Sequence, residues 1–185
     1  KEETELIDVD GYYGGAEFSF DDRYIAFGGS DHTYKNATHG HVYIYDTETK
    51  TTQKLTEMLD VPVGDYAVAD IQQGVEAPTV IWTENNDLYF QVSTEGDIRL
   101  YYATLDGAIY PASPENEHVY GYAVFKNGNR ALMTVSNPTF PGELFDFDIT
   151  TGERKQLTTF NAEFLESTTL STPEAISYTV NDGIN

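Results

Sequence analysis

The stretch His41–Thr56, HVYIYDTETKTTQKLT, decides the fold of this chain, because Glu143–Thr158, ELFDFDITTGERKQLT, repeats it without a gap. Both copies read aromatic-x-aromatic-Asp, continue through a polar turn and end in Leu-Thr. A third copy, LYYATLDGAIYPAS, lies between them at 100–113 and is shorter at the turn. Segments that recur in this way indicate a repeat architecture, in which each copy belongs to one supersecondary unit.

A matching segment precedes each phrase, at 16–30, 79–93 and 122–136. In each of these, alternating apolar residues lead into a polar turn, and a second apolar run ends in Ser. This is the pattern of a β-hairpin. The Leu-Thr phrases, with Thr-Gly at 151–152 and Asp-Gly at 106–107, predict a second hairpin. Every unit is therefore expected to contain four short antiparallel strands.

The spacing of the units predicts the fold class. The hairpins that begin at 79 and 122 lie 43 residues apart, which is the length of one blade of a β-propeller. No window shows the apolar stripe of an amphipathic helix. We predict an all-β fold, a partial β-propeller of three four-stranded antiparallel blades at about 11–56, 65–113 and 118–158, with a leading strand at about 4–9.

The first unit is longer than the period. Its hairpin starts at 16, and the next starts at 79, 63 residues further on. The additional residues form the loop 31–40 between the two hairpins and the connector 57–77 after the second one. Loops that interrupt a repeat are the usual place for specificity.

The charge of the chain argues against two classes of partner. There are 31 acidic and 10 basic residues, a formal net charge of -21. Nucleic acids and anionic membranes both require clustered Lys and Arg, so neither is expected to bind. The acidic surface is interpreted as a source of solubility, with attraction of cationic peptides as the functional alternative.

Cysteine is absent, which excludes disulfides, thiolate metal sites and a cysteine nucleophile. No apolar run is long enough to span a membrane, and the first residues, Lys-Glu-Glu-Thr-Glu, do not resemble a signal peptide. We therefore predict a cytoplasmic protein. Because residue 1 is not Met, we expect the chain to be a piece of a longer protein.

The sequence offers no convincing nucleophile. A Gly-x-Ser-x-Gly elbow requires glycine on both sides of the serine. The nearest match, Gly28–His32, has His32 where the second glycine should be, and Ser30 is interpreted as a strand end. The glycines also lack the pattern of a phosphate-binding loop. We predict neither a catalytic residue nor a cofactor in this chain.

Three of the four histidines, His32, His39 and His41, lie close together in sequence, with Asp31 beside them. Such residues can bind a divalent metal. Their spacing matches no specific zinc signature, so they are weak metal candidates.

Two acidic pairs, Asp8 with Asp10 and Asp146 with Asp148, are spaced to share a strand face. Paired carboxylates can perform acid–base chemistry or bind Ca²⁺. Aspartates beside turns, however, usually accept hydrogen bonds from nearby backbone N–H groups. We interpret both pairs as structural.

Several segments resemble one family of enzymes. Phe18–Phe27, FSFDDRYIAF, Asp31–His39, DHTYKNATH, and Val42–Asp46, VYIYD, resemble the propeller of acylaminoacyl-peptidase-like members of the prolyl oligopeptidase family. The segment Ser171–Asn185, STPEAISYTVNDGIN, resembles the family's crossing from the propeller into its α/β-hydrolase domain.

This resemblance implies a domain plan and a function. Residues 1–170 are expected to form the partial propeller, and 171–185 a linker and the first strand of a hydrolase domain absent from this chain. The propeller is expected to restrict access to short peptides, while a Ser-Asp-His triad in the hydrolase domain cleaves them. The candidate substrate-gating residues are those of the 31–40 loop: Asp31, His32, Tyr34, Lys35, Asn36 and His39.

The alternative is a stand-alone propeller that binds a protein or peptide partner with no enzyme attached. In both interpretations the first and last blades are expected to expose an apolar face that a neighbour would normally cover. We therefore predict self-association through those faces.

Overall fold

The computed structural model describes residues 3–68 and 74–178, and antiparallel strands dominate both ranges. The strands, in chain order, are β1 Tyr12–Phe18, β2 Tyr24–Ser30, β3 His41–Asp46, β4 Thr51–Lys54, β5 Ile81–Trp82, β6 Leu88–Thr94, β7 Asp97–Ala103, β8 Ile109–Pro111, β9 His118–Val124, β10 Arg130–Asn137, β11 Phe140–Asp148 and β12 Arg154–Gln156. One short helix, α1 Ala162–Ser167, follows them. The all-β prediction is confirmed.

The strands form three meanders that follow the sequence repeat. Unit 1 is a sheet in the order β1-β2-β3-β4. Unit 2, β5–β8, and unit 3, β9–β12, belong to a second sheet, in which β7 and β9 meet in parallel at the pair Ile98 and His118. Within each unit every neighbouring pair is antiparallel, as the paired hairpins predict.

The apolar core lies between the units, because each strand directs alternate side chains to opposite faces. Val42 and Ile44 of β3 pack with Trp82 and Phe90 of unit 2. On the other side of unit 2, Leu100 belongs to a cluster shared with unit 3. Strands buried on both faces explain the abundance of β-branched and aromatic residues.

The predicted leading strand at 4–9 is wrong. These residues have no regular secondary structure. Leu6 and Ile7 instead pack against the outer aromatic cluster of unit 1, and the Thr52 hydroxyl donates to the Leu6 carbonyl. The Leu6 carbonyl thus accepts a hydrogen bond from a side chain, whereas in a strand it would accept one from a backbone N–H.

The segment 4–9 also bears on the prediction that the first blade exposes an apolar face. Phe27 and Tyr43, which point away from unit 2, are each only 3% exposed, because Leu6, Ile7 and Tyr13 lie against them. The outer face of unit 1 is therefore covered in this structure rather than open. Self-association stays a prediction.

The structure explains why the repeated phrase ends in Leu-Thr. In unit 1 the Leu55 N–H donates to the Val42 carbonyl (2.9 Å), and the Val42 N–H donates to the Thr56 hydroxyl (3.0 Å). In unit 3 the Leu144 N–H donates to the Thr158 hydroxyl at 2.9 Å. We call this pair of bonds the Leu-Thr closure. It satisfies both backbone groups of one residue in the third strand, just beyond the regular pairing with the fourth.

Unit 2 makes the same closure with different residues. Ala112 N–H donates to the Leu100 carbonyl (2.7 Å), and Leu100 N–H donates to the Ser113 hydroxyl (2.9 Å). A hydroxyl at this position is therefore the common requirement, which Ser meets as well as Thr. The shorter copy at 100–113 therefore keeps the hydroxyl of its last residue, Ser113, as the acceptor of the strand N–H.

The meander topology separates two ends of the molecule. Four antiparallel strands return the chain to the end at which it entered. We call the end that carries the loop 31–40 and the described parts of the connector, 57–68 and 74–77, the loop face, and the end that carries the β1–β2 and β3–β4 turns the turn face. The chain also leaves unit 3 after β12 on the loop face.

Candidate functional site

The loop face contains a cleft of about 370 Å³. Its walls are the start of β1, the adjoining ends of β2 and β3, and residues 63–66 and 75–79. The lining residues are of mixed character and include the acidic Asp65 and Glu76. The cleft thus forms where the first unit departs from the repeat.

Backbone hydrogen bonds hold the connector as one wall of the cleft. The Val63 N–H donates to the Gly40 carbonyl at 2.9 Å. The Gly64 N–H donates to the Gln91 carbonyl at 2.8 Å, and the Ser93 N–H donates to the Pro62 carbonyl at 3.0 Å. The connector therefore links the end of the 31–40 loop to the end of β6 in unit 2.

Asp65 extends this link to unit 3. Its Oδ2 lies 2.6 Å from Nε2 of His118, at the start of β9. Gln91 makes a second connection, because its side-chain amide donates to the Val119 carbonyl at 2.6 Å while the residue is only 5% exposed. All three units consequently meet around the cleft.

Sequence reasoning missed Asp65 and Gln91. Asp65 lies in a connector without a repeat, so no periodicity marked it. Gln91 did carry a signal, since it is the one polar residue inside the apolar run Leu88–Val92. A polar side chain in a buried strand must find a hydrogen-bonding partner, and here the partner lies on the next unit.

The six predicted gating residues do not line this cleft, which receives only Gly40 and His41 from that part of the chain. Asp31 instead accepts hydrogen bonds from Lys54 Nζ (2.6 Å) and from the Thr33 hydroxyl (2.7 Å). Those bonds, the Lys54 contact first, hold the pKa of Asp31 well below its usual range. Asp31 lines a second cleft, of about 550 Å³, beneath residues 5–9.

The remaining gating candidates project from the loop into solvent. His32, Tyr34, Lys35, Asn36 and His39 are all exposed, Tyr34 by 74%. A single turn of 3₁₀-helix at Lys35–Ala37 shapes the loop tip. These residues are accessible to a partner above the loop face, and their gating role stays a prediction.

The weak metal prediction at His32, His39 and His41 is not supported by the geometry. Within 3–68 and 74–178, no group of three or more His, Cys, Asp or Glu side chains is arranged to hold a metal ion. The Nδ1 of His41 lies 3.1 Å from both the carbonyl and the hydroxyl oxygen of Thr56. His41, one of the three histidines predicted to bind a metal, thus contacts Thr56 of the unit 1 closure.

The remaining sequence candidates have structural roles. Ser30 ends β2, as interpreted. Asp148 Oδ1 accepts the backbone N–H groups of Thr150 and Thr151, each at 2.9 Å, and Asp146 accepts Arg130 Nε at 2.6 Å. Asp148 thus makes the backbone hydrogen bonds expected of an aspartate beside a turn, whereas Asp146 pairs with a side chain.

Comparisons with known proteins show which proteins share this architecture. No protein-family model matches the chain. An uncharacterized peptidase of Bacillus subtilis, YuxL, is 34% identical over 152 residues, which is 82% of this chain and 23% of the relative. The β-propeller domain of the Trilobed protease from Pyrococcus furiosus is 27% identical, with a TM-score of 0.55, over 83% of this chain and 41% of that one. The chain is a β-propeller segment that is similar to a peptidase and to the propeller domain of a protease.

A further structure bears on the extent of the segment. The acylaminoacyl peptidase of Pyrococcus horikoshii superposes on 97% of this chain and 25% of its own, with a TM-score of 0.67 and 22% identity, which shows a common fold. The resemblance to the prolyl oligopeptidase family is confirmed. The propeller segment spans less than a quarter of the length of the B. subtilis peptidase.

Two features of the propeller segment bear on its surroundings. Across the described ranges, no helix is long and apolar enough to cross a membrane. Residues 171–178, at the predicted approach to an adjoining domain, have no regular secondary structure, and 179–185 lie outside the described residues. The predicted first strand of a hydrolase domain in 171–185 therefore stays a prediction.

Proposed function

We propose that this segment is the non-catalytic propeller part of a serine peptidase of the acylaminoacyl-peptidase and prolyl oligopeptidase type. In the parent enzyme, its loop face admits short peptides and selects them for a hydrolase domain that follows the propeller. The sequence identity of 34% to a peptidase and of 27% to a protease propeller supports the peptidase part of the proposal.

One observation carries the gating part. The chain leaves unit 3 on the same face that bears the 31–40 loop, the connector and the 370 Å³ cleft. A domain attached after residue 158 starts from that face. Substrates on their way to that domain would therefore pass the 31–40 loop and the connector first. Rigid strands that position variable loops beside an active site are a common arrangement in enzymes.

The test begins with the coding sequence of the parent. We expect a Gly-x-Ser-x-Gly motif within about 200 residues after Asn185, followed by Asp and then His. The expressed parent should hydrolyse acyl-peptide substrates and lose this activity to a serine-reactive phosphonate. A stop codon directly after Asn185 would instead support the stand-alone binding module.

Gating is tested in the same parent by replacing residues 32–39 with a short Gly-Ser linker. Removing the exposed loop tip should raise kcat/KM for long peptides relative to short ones by about tenfold, because specificity is a difference between two transition-state affinities. The matched control shortens the β3–β4 turn at 47–50, on the opposite face. An unchanged ratio in the loop variant, or an equal change in the control, would contradict the gating role.

A further inference from the structure

The strand β1 has an unpaired edge. In the part of the chain that the structure describes, β2 is its single pairing partner. None of its seven residues is buried, whereas β9, the first strand of unit 3, has three buried residues and also pairs with β7. An exposed edge strand presents unpaired N–H and C=O groups to any extended chain that approaches it.

The available edge lies beside the cleft. Tyr12, Gly14 and Gly15 contribute to the cleft wall. Further along, the β1–β2 register shifts between Gly14 and Glu17, and the Glu17 carbonyl accepts the Trp82 indole N–H at 3.0 Å, so the open extended stretch is 12–14. Because alternate residues of an edge strand direct their backbone groups outward, a stretch of this length can pair with a short peptide.

Gly14 indicates that the edge is kept clear. A Cβ built on Gly14 would meet no atom closer than the Tyr12 hydroxyl, at 4.0 Å. Its φ is not in the left-handed region, unlike that of Gly15, where φ is 65° and a Cβ would collide with Thr79. Packing and backbone conformation therefore require glycine at 15 but not at 14. Glycine inside a strand often marks the close approach of another backbone.

The charge around the edge favours a cationic ligand. Among the described residues that line the cleft there is no Lys or Arg, while Asp65 and Glu76 contribute carboxylates. The net charge of -21 adds a long-range field of the same sign. Such a field raises the local concentration of positively charged ligands.

We propose that the 12–14 edge of β1 binds an extended, positively charged peptide by adding it as a further strand. Main-chain hydrogen bonds supply the affinity, and the acidic cleft selects for positive charge. This inference rests on the proposed function, because the bound peptide is the substrate or product of the parent peptidase.

The experiment uses the ¹⁵N-labelled 185-residue chain and three blocked pentapeptides. The first alternates Lys and Val, the second alternates Glu and Val, and the third is the Lys-Val peptide with both Val nitrogens methylated. Amide resonances are followed during titration. We expect the Lys-Val peptide to shift the amides of Tyr12 and Gly14, and the other two to bind at least about tenfold more weakly, since lost main-chain bonds or reversed charge cost roughly 1.4 kcal/mol or more.

Two variants locate the site on the protein. Gly14→Pro removes an edge N–H that the peptide would bond to and should weaken binding at least about tenfold. Ala123→Val, at an exposed position of β9, is the control for an altered strand away from this edge and should bind as the unaltered chain does. If Gly14→Pro fails to fold, the methylated peptide still tests the inference on the unaltered protein.

Binding of the methylated peptide with unchanged affinity, shifts confined to residues away from β1, or no binding at millimolar peptide would each overturn the inference. These outcomes leave the peptidase assignment intact. Conversely, a parent without a hydrolase domain contradicts the proposed function and leaves the peptide titration unaffected.

Discussion

The Leu-Thr closures of unit 1 and unit 3 have the same backbone geometry and different side-chain surroundings. The Thr hydroxyl accepts the strand N–H at 3.0 Å in unit 1 and at 2.9 Å in unit 3. The residue that starts the phrase is His41 in one unit and Glu143 in the other. The architecture thus requires the hydroxyl, and the neighbouring residue is free to differ.

The two neighbours engage their closures differently. His41 Nδ1 lies 3.1 Å from both the carbonyl and the hydroxyl oxygen of Thr56. Glu143, only 3% exposed, accepts the Thr158 hydroxyl and the backbone N–H of Asn161, the latter at 2.7 Å. The closure of unit 3 therefore also anchors the chain that leaves the propeller.

Acid is expected to weaken both closures, because the pKa values of His41 and Glu143 are lowered. Burial lowers the pKa of His41 below its ordinary value of 6.5, and the nearby Lys54 charge adds to this effect. Burial alone would raise the pKa of Glu143, but the hydrogen bonds from Thr158 and Asn161 outweigh it and bring the pKa below 4.5. A folded-state pKa below the unfolded one means that stability is lost as the pH falls.

The largest expected effect breaks the closures themselves. Thr56→Val removes the acceptor of the Val42 N–H at a site that is 0% exposed, and should lower the free energy of unfolding by about 2 kcal/mol. Thr158→Val, at a partly exposed site, should cost about 1 kcal/mol. Urea unfolding followed by circular dichroism measures both.

Thr51→Val, at an exposed position of β4, is the control for these variants and should change stability by less than about 0.5 kcal/mol. Equal losses for Thr51→Val and Thr56→Val would show that the closure contributes nothing beyond the general effect of removing a hydroxyl.

The second test separates the two closures by pH. Glu143→Gln weakens the network around Thr158 and Asn161 and should lower the free energy of unfolding by about 1 kcal/mol at pH 7. The native carboxylate contributes stability above pH 4.5, which is lost as the pH falls through its lower folded-state pKa. The deficit of the variant should therefore shrink in acid. Glu153→Gln, at an exposed site, is the control, and a constant deficit would contradict the assignment.

A smaller effect is expected at His41, which contacts its closure through one ring nitrogen. The unaltered chain should lose stability as the pH falls below 6.5, because the unfolded state takes up the proton first. His41→Gln should reduce that loss. His32→Asn, on the exposed loop, tolerates the positive φ of that position (54°) and should leave the pH profile unchanged. Profiles that coincide for all three proteins would argue against His41 as the titrating group.

The smallest effect concerns the turns between the third and fourth strands. Lys50 in unit 1 and Gly152 in unit 3 occupy the same place, with φ of 58° and 75°. Lys50→Gly should raise stability by about 0.5 kcal/mol, because only glycine adopts this conformation without cost. Gly152→Lys should cost about 1 kcal/mol. Thermal unfolding distinguishes the pair, and a gain from both substitutions would contradict the turn argument.

Much of the fold followed from repeated local patterns. The hairpins around the turns at 127–129 and 151–152 were predicted because alternating residues and turn-forming residues act over a few positions. The segment 4–9 forms no strand, and its Leu6 carbonyl accepts a side-chain hydrogen bond from Thr52 of β4 rather than a backbone N–H. A few apolar residues without a partner hairpin in the repeat are a weak predictor of a strand.

The candidate site was less accessible from sequence. The breaks in the repeat at 31–40 and 57–77 correctly directed attention to the face where the cleft lies. Which residues line that cleft depended on long-range contacts, above all Asp65 with His118 and Gly64 with Gln91. No local pattern encodes such pairs.

By itself the sequence determined the strand order, the hydroxyl at the end of each phrase and the acidic charge, since these depend on period, backbone pairing and composition. Only the tertiary structure decided that His41 contacts the Thr56 closure, that Leu6 and Ile7 cover the outer face of unit 1, and that β1 keeps an open edge beside the cleft. Those outcomes depend on which distant segments pack together, and packing is set by the whole chain.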